Sequence, residues 1–276
     1  MTIDEKYSIL KSILLEMGHL LIAYSGGVDS TFLLKVAKDV LGDKVIAVHA
    51  VSPMHPSREY DDAKNLSSEI GAELDLIDAK DIIQNEQLIK NPVDRCYICK
   101  SNILKKIKAV AEKRKIKYIA DGSNADDSGD FRPGIKALKE HNIRSPLKEA
   151  GLTKQEIREL SRRLNLSTWE KPALACLATR FPYGTRIELK SLNMIDNVEN
   201  ILCEKGFKNV RARHYEEMVK IEVPPDEIKK FMDSNFREKI IKKIKEIGYT
   251  YVTLDLEGYR QGSMNEILSS NASNSG

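Results

Sequence analysis

Between residues 19 and 52 the chain reads HLLIAYS (19–25), a glycine-containing turn, TFLLKVAKDVLG (31–42) and KVIAVHAVS (44–52): strand, turn, helix, strand. Strands that are apolar at nearly every position are buried on both faces, and a helix joining two of them makes a parallel pair. Most of the first half continues this alternation. A polar helix is predicted near 57–71, a strand at AELDLIDA (72–79), a helix from near Asp94 to Lys115, and a strand at KYIADGS (117–123). Ahead of them, Tyr7, Ile9, Leu10, Ile13, Leu14 and Met17 recur at helical spacing, with Gly18 placed to end the helix. The predicted fold class is α/β, a parallel twisted sheet flanked by helices.

From 124 to 149 the chain is loop-rich, and LTKQEIRELSRRLNL then restores a helix in which Thr153 and Glu156 form a capping box. Residues 167–188 are irregular and hold Pro172, Pro182, the single Trp and Cys176. After 187 the pattern changes to a helix near 188–205, strands at KNVRARHY and EMVKIEV, a helix over 225–248 and a strand at YTYVTLDL. We therefore expect a Rossmann-like domain over 1–186, a small α+β domain over 187–268, and a disordered tail over 269–276.

Forty-four Lys and Arg against 41 Asp and Glu give a formal charge of +3 in 276 residues. That balance argues against a protein that holds nucleic acid chiefly by neutralising phosphates. No apolar run approaches the roughly 18 to 20 residues of a membrane span, so no membrane partner is expected. Charged Asp4, Glu5, Lys6, Lys11 and Glu16 interrupt the first helix, unlike a secretory signal, and a cytoplasmic location is expected. Four cysteines, at 96, 99, 176 and 203, do not make a disulfide scaffold in a chain of this length.

The turn after the first strand is Ser25-Gly26-Gly27-Val28-Asp29-Ser30. Glycines admit positive φ and close backbone approach, and the N–H groups of a helix start face an anion. No lysine sits in this loop, so it is not a Walker A sequence, and the dinucleotide fingerprint is also missing. Two glycines alone could merely make a tight turn. The whole hexapeptide, directly after the first strand, resembles the PP-loop of the ATP pyrophosphatase superfamily. The resemblance implies that Ser25, Gly26, Gly27, Asp29 and Ser30 hold the pyrophosphate end of ATP, with Asp29 beside Mg²⁺ and adenine over Val48–Val51.

Cys96 and Cys99 lie in NPVDRCYICK, three residues apart on one helix face. Paired thiolates suit zinc or an iron–sulfur cluster, and ordinary burial under the helix is the alternative. Cys176 lies in KPALACLATRFPYGTRI beside Thr179 and the cations Arg180 and Arg186, which favour a thiolate. Cys203 reads as core packing. Arg211 and Arg213 alternate along VRARHY and so share one strand face, where guanidinium groups can take a phosphate. Asp126, Asp127 and Asp130 form an acidic loop to which no role is assigned.

Taken together, SGGVDS, RCYICK, IADGSNADDSGDFRPG, KPALACLATRFPYG, VRARHY and GYRQGSMNE resemble the LarE-type ATP-dependent sulfur transferases over about residues 20–266. The resemblance implies a small-molecule substrate, pyridinium-3,5-biscarboxylic acid mononucleotide. Its carboxylate would be adenylated with ATP and Mg²⁺, and AMP displaced by sulfur to give a thiocarboxylate for the nickel-pincer nucleotide cofactor. Cys176 and Asp29 are then catalytic, and Arg211, Arg213 and Thr179 take the substrate phosphate. One branch of the family sacrifices the sulfur of the residue matching Cys176. The three-cysteine branch, which this chain resembles, would hold a [4Fe–4S] cluster on Cys96, Cys99 and Cys176 and take sulfur from sulfide or another donor. The family also implies a trimer or hexamer of identical chains. A tRNA thiolase of the same superfamily is the competing reading, but the further C-x-x-C pairs or RNA-binding domain common in such enzymes are missing here.

Overall fold

The computed structural model describes residues 1–128, 133–172 and 175–260. They form two compact units, one of residues 1–88 and 93–174, the other of 89–92 and 175 onward. The division lies after 174, whereas the change of secondary-structure pattern past residue 187 in the sequence suggested 186. The expected tail over 269–276, residues 261–266 of the closing motif and Asp130 fall outside the described residues.

In chain order the elements are α1 (Ile3–Met17), β1 (Leu20–Ala23), α2 (Val28–Leu41), β2 (Val45–Val51), α3 (Ser57–Ile70), β3 (Glu73–Asp78), α4 (Glu86–Ile89) and α5 (Arg95–Lys113). β4 (Tyr118–Ala120), α6 (Pro133–Glu140), α7 (Pro146–Glu149) and α8 (Lys154–Arg163) follow. The first unit holds a four-stranded sheet of order β3-β2-β1-β4, parallel throughout. Side chains alternate across it, as the two-residue repeat of a strand requires. Leu20, Ile22, Val45 and Ala47 pack with Leu10, Leu14, Phe32, Val36 and Ile157 of α1, α2 and α8. Leu21, Ile46, Val48 and Ala50 point the other way, onto Leu104, Ile107 and Ala111 of α5 and Ala137 and Leu138 of α6. Helices thus cover both faces, which is why β1 and β2 tolerate no polar residue except His49. β3, at the edge, is studded with Glu73, Asp75 and Asp78.

The short helices α6 and α7 occupy a stretch expected to be loop. Their combined length is too small for periodicity to register, and Pro146 supplies the start of α7 without needing a donor. Both predicted helix signals at the ends of longer elements are present: Gly18 donates to the Leu14 carbonyl, and Thr153 and Glu156 close a capping box.

The second unit contains α9 (Leu189–Glu204), β5 (Arg211–Tyr215), β6 (Met218–Glu222), α10 (Ser234–Ile247) and β7 (Tyr251–Leu254). β5 and β6 form an antiparallel hairpin, and β7 returns parallel to β6 through α10. The single helix expected over 225–248 is divided. A 3₁₀ segment covers Pro225–Met232, and Asp233 then caps α10 by accepting the Phe236 N–H at 2.6 Å. Among the described residues no helix is long and apolar enough to cross a membrane.

Candidate active site

β1 lies between β2 and β4, and the strand order reverses across it, with β2 and β3 on one side and β4 on the other. In open α/β sheets, ligands enter at the carboxyl ends of strands flanking such a point. The loop at that end of β1 is Ser25–Ser30. Gly26 has φ +72°, and a Cβ there would stand 3.2 Å from Cα and Cβ of Ala63. Gly27 caps α2 with no side-chain bond to the helix amides. Inside the loop, Ser25 Oγ lies 3.0 Å from Ser30 Oγ and accepts the Gly27 N–H at 3.3 Å, while Ser30 Oγ donates to the Gly27 carbonyl at 3.2 Å. Ser25, Gly26, Gly27, Asp29 and Ser30 are therefore brought into one turn. The loop after β4 touches it: a Cβ at Gly122 would lie 2.9 Å from the Ser30 nitrogen, so only glycine fits.

Asp29 receives two partners from distant parts of the chain. Lys154 Nζ lies 2.7 Å from its Oδ2, and Asn124 Nδ2 lies 3.5 Å from the same oxygen. The other oxygen, Oδ1, is buried with no hydrogen-bond partner. Burial raises the Asp29 carboxyl above its ordinary pKa, against the pull of Lys154, and nearby Asp127 adds to the rise. Lys171 reaches the loop from another side, donating to Asp62 at 2.6 Å and to the Gly26 carbonyl at 3.2 Å. Arg158 holds the segment carrying Lys171, through the carbonyls of Trp169 and Lys171. An unsatisfied carboxylate oxygen, two lysines and a glycine turn at a helix start fit a polyphosphate with a divalent cation.

On β2, the Val48 and Val51 carbonyls accept the Tyr24 and Ala79 N–H groups, each at 2.9 Å. His49 Nδ1 is 3.0 Å from the Tyr24 carbonyl. Burial lowers the pKa of both His49 and His55, the latter to about 4.

Cys96 sits in the first turn of α5 and is exposed, and Cys99 opens the second turn and is partly buried. Cys176 belongs to the second unit, as does partly buried Cys203 in α9. Thiolate donors spaced on one helix turn fit iron or zinc in kind. Among the described residues no group of three or more His, Cys, Asp or Glu side chains stands assembled around a metal position.

Within the second unit, Arg180 and Glu199 tie the Cys176–Thr179 turn to Ala212, the residue between Arg211 and Arg213. Arg180 and Glu199 are buried and form a two-point pair. Arg180 also donates to the carbonyls of Ala175 and Cys176, at 2.7 and 3.0 Å, and to Thr179 Oγ1 at 2.9 Å. Arg213 donates to the Thr179 carbonyl and to Glu222 Oε2, both at 2.8 Å. Arg211 donates to the Val210 carbonyl and stacks 4.9 Å above the centre of the Tyr259 ring. Burial and the neighbouring Arg180 charge lower the Arg211 pKa. Both β5 arginines are buried, not displayed on an open strand face.

A match to the NAD synthase family spans residues 5–116, including the loop and the α5 cysteines. The pyridinium-3,5-bisthiocarboxylic acid mononucleotide synthase of Lactiplantibacillus plantarum is 34% identical over 268 residues, 97% of this chain and 96% of its own. The chain belongs to the LarE-type family of that synthase. An uncharacterised Synechocystis protein is 40% identical over 96% of this chain and 99% of its own. A chain of the glutamine-hydrolysing GMP synthase from Methanococcus maripaludis is 27% identical over 67% of this chain and 61% of its own.

In this LarE-type chain the loop residues share one turn, Arg213 bonds the Thr179 carbonyl, and Cys176 and Arg211 lie in the same unit as that pair. Lys154, Asn124, Lys171, Gly122, Glu199 and Glu222 were not identified from sequence. Lys154 lies 125 residues from Asp29, and a lone lysine on a charged helix carries no local signal of that partner. Gly122 had the clearest trace, as a glycine two residues past the end of an apolar strand.

Proposed function

We propose that the chain is an ATP-dependent sulfur transferase acting on pyridinium-3,5-biscarboxylic acid mononucleotide. A carboxylate oxygen of the substrate attacks the α-phosphorus of ATP, the bond to the β-phosphate breaks, and pyrophosphate leaves. A sulfur nucleophile then adds to the acyl carbon and expels AMP, giving the thiocarboxylate. Adenylation is needed because a bare carboxylate has no good leaving group.

In this reading, the Ser25–Ser30 loop binds the pyrophosphate end of ATP and Asp29 faces Mg²⁺, which neutralises phosphate charge when bound. Adenine lies over Val48–Val51. Arg211, Arg213 and Thr179 receive the substrate phosphate, and Arg180 holds the turn that presents Cys176. A [4Fe–4S] cluster on Cys96, Cys99 and Cys176 would supply a binding place for the sulfide to be transferred. A cytoplasmic location, a sulfide donor and assembly into a trimer or hexamer belong to the same proposal.

The observation that carries the proposal is the buried, unpartnered Asp29 Oδ1 within SGGVDS, in a chain related along nearly its whole length to the synthase. The test is anaerobic incubation of iron- and sulfide-reconstituted protein with ATP, Mg²⁺, substrate and sulfide, following pyrophosphate, AMP and thiocarboxylate by mass spectrometry. Expected is thiocarboxylate formed with one AMP per sulfur, and its loss in Asp29→Ala. Product formed without ATP consumption would overturn the proposal. Intact mass of the protein after turnover separates the sulfur sources, because sacrifice of Cys176 removes one H₂S from the chain.

A further inference from the structure

Lys154 is an unexpected partner for Asp29. It is the first residue of α8, behind the Thr153 cap, where the partial positive charge of the helix start opposes a cation. Its position is nevertheless fixed from several sides. Its backbone N–H donates to Asp126 Oδ2 at 2.8 Å. The capping Glu156 is held by Lys6 at 2.7 and 2.8 Å. Asp126 is held in turn, its N–H donating to Asn124 Oδ1 at 2.9 Å. The frame thus carries an ammonium to one oxygen of Asp29 and leaves the other oxygen buried and unmatched.

A pair serving stability alone would satisfy both oxygens, because a buried acceptor without a donor is costly. An orphaned buried carboxylate oxygen is a group that a ligand from outside the chain can complete. We propose that Lys154 is a built-in counter-ion: it occupies Asp29 while the loop is empty, opposes a divalent cation arriving alone, and crosses to the phosphates when metal and polyphosphate arrive together. This rests on the nucleotide-binding reading of the loop. An ammonium 2.7 Å from one carboxylate oxygen repels a divalent ion bound at the other, and a polyphosphate gives that ammonium a new acceptor. The crossing is short, since Lys154 is only 33% exposed and already beside the loop. Metal and phosphate binding are thereby coupled, each strengthening the other.

The test uses full-length protein with Mn²⁺ as metal probe, read by electron paramagnetic resonance, and inorganic pyrophosphate with Mg²⁺, read by calorimetry. Relative to wild type, Lys154→Met should bind Mn²⁺ alone about tenfold more tightly and magnesium pyrophosphate about tenfold more weakly. Adding Asp29→Asn should abolish the Mn²⁺ gain, and Lys154→Arg should restore pyrophosphate binding. Melting curves establish that each variant is folded. Unchanged Mn²⁺ and pyrophosphate affinities in folded Lys154→Met would overturn the counter-ion role, while wild type that binds neither pyrophosphate nor ATP would instead overturn the reading of the loop.

Discussion

Arg180 grips Glu199 at two points, Nε to Oε1 at 2.8 Å and Nη2 to Oε2 at 2.9 Å, with both side chains shut away from water. Oε1 also accepts the backbone N–H of Ala212 at 3.1 Å. One carboxylate therefore fixes both the turn after Cys176 and the strand that carries Arg211 and Arg213. Glu199→Ala leaves a buried guanidinium uncompensated and should cost about 3–5 kcal/mol in urea unfolding. A loss below about 1 kcal/mol would show that the pair does not organise the unit.

Gly122→Ala tests the contact between the β4 loop and the phosphate-binding turn. Its Cβ would meet the Ser30 nitrogen at 2.9 Å, and both are backbone-anchored. We expect about 1–3 kcal/mol of destabilisation and weaker binding of magnesium pyrophosphate by calorimetry. Wild-type affinity in the variant would mean that the loop does not have to keep this shape.

Cys176→Ala should still release pyrophosphate from ATP in the presence of substrate, yet form no thiocarboxylate, because in the proposed mechanism adenylation and sulfur delivery use different groups. Mass spectrometry of the product decides it. Thiocarboxylate made at the wild-type rate would remove Cys176 from the chemistry.

Stability should fall on acidification. His55 is held neutral in the fold with its pKa lowered to about 4 by burial, against roughly 6.5 when unfolded. Below 6.5 the unfolded chain binds the extra proton, so His55 lowers stability progressively as pH falls from about 6.5 to about 4. The loss should reach about 3 kcal/mol, and His55→Gln should flatten that slope in unfolding measured across the range. A slope unchanged by the substitution would rule His55 out as its source.

Local chemistry made much of the fold legible. Continuous apolar runs marked β1 and β2, the 3.6-residue period marked α1, and Thr153 with Glu156 announced the start of α8. The loop at Ser25–Ser30 was readable because a tight turn and an anion site need particular residues in sequence. Asp233 was harder to see, since an acidic residue in a charged run looks like a solvated helix face until its side chain caps the next turn. Lys154 and Glu199 could not be read at all, because their meaning lies in partners 125 and 19 residues away. Burial of Arg211 and Arg213 was equally hidden, as nothing local distinguishes an arginine sunk against glutamate from one in water.

Residues 89–92 belong to the second unit, although the chain on either side of them belongs to the first. Ile89 offers its carbonyl to the Ile187 N–H at 2.7 Å, and Asn91 binds the Pro182 carbonyl at 2.8 Å and the Gly184 N–H at 3.0 Å. A gene cut after residue 174 would therefore yield two incomplete pieces, the later one missing a strip that only the earlier one encodes. During synthesis this strip emerges about 90 residues before its partners and must wait for them. Split-protein complementation or domain exchange in this family would have to graft Ile89–Pro92 together with the carboxyl-terminal half.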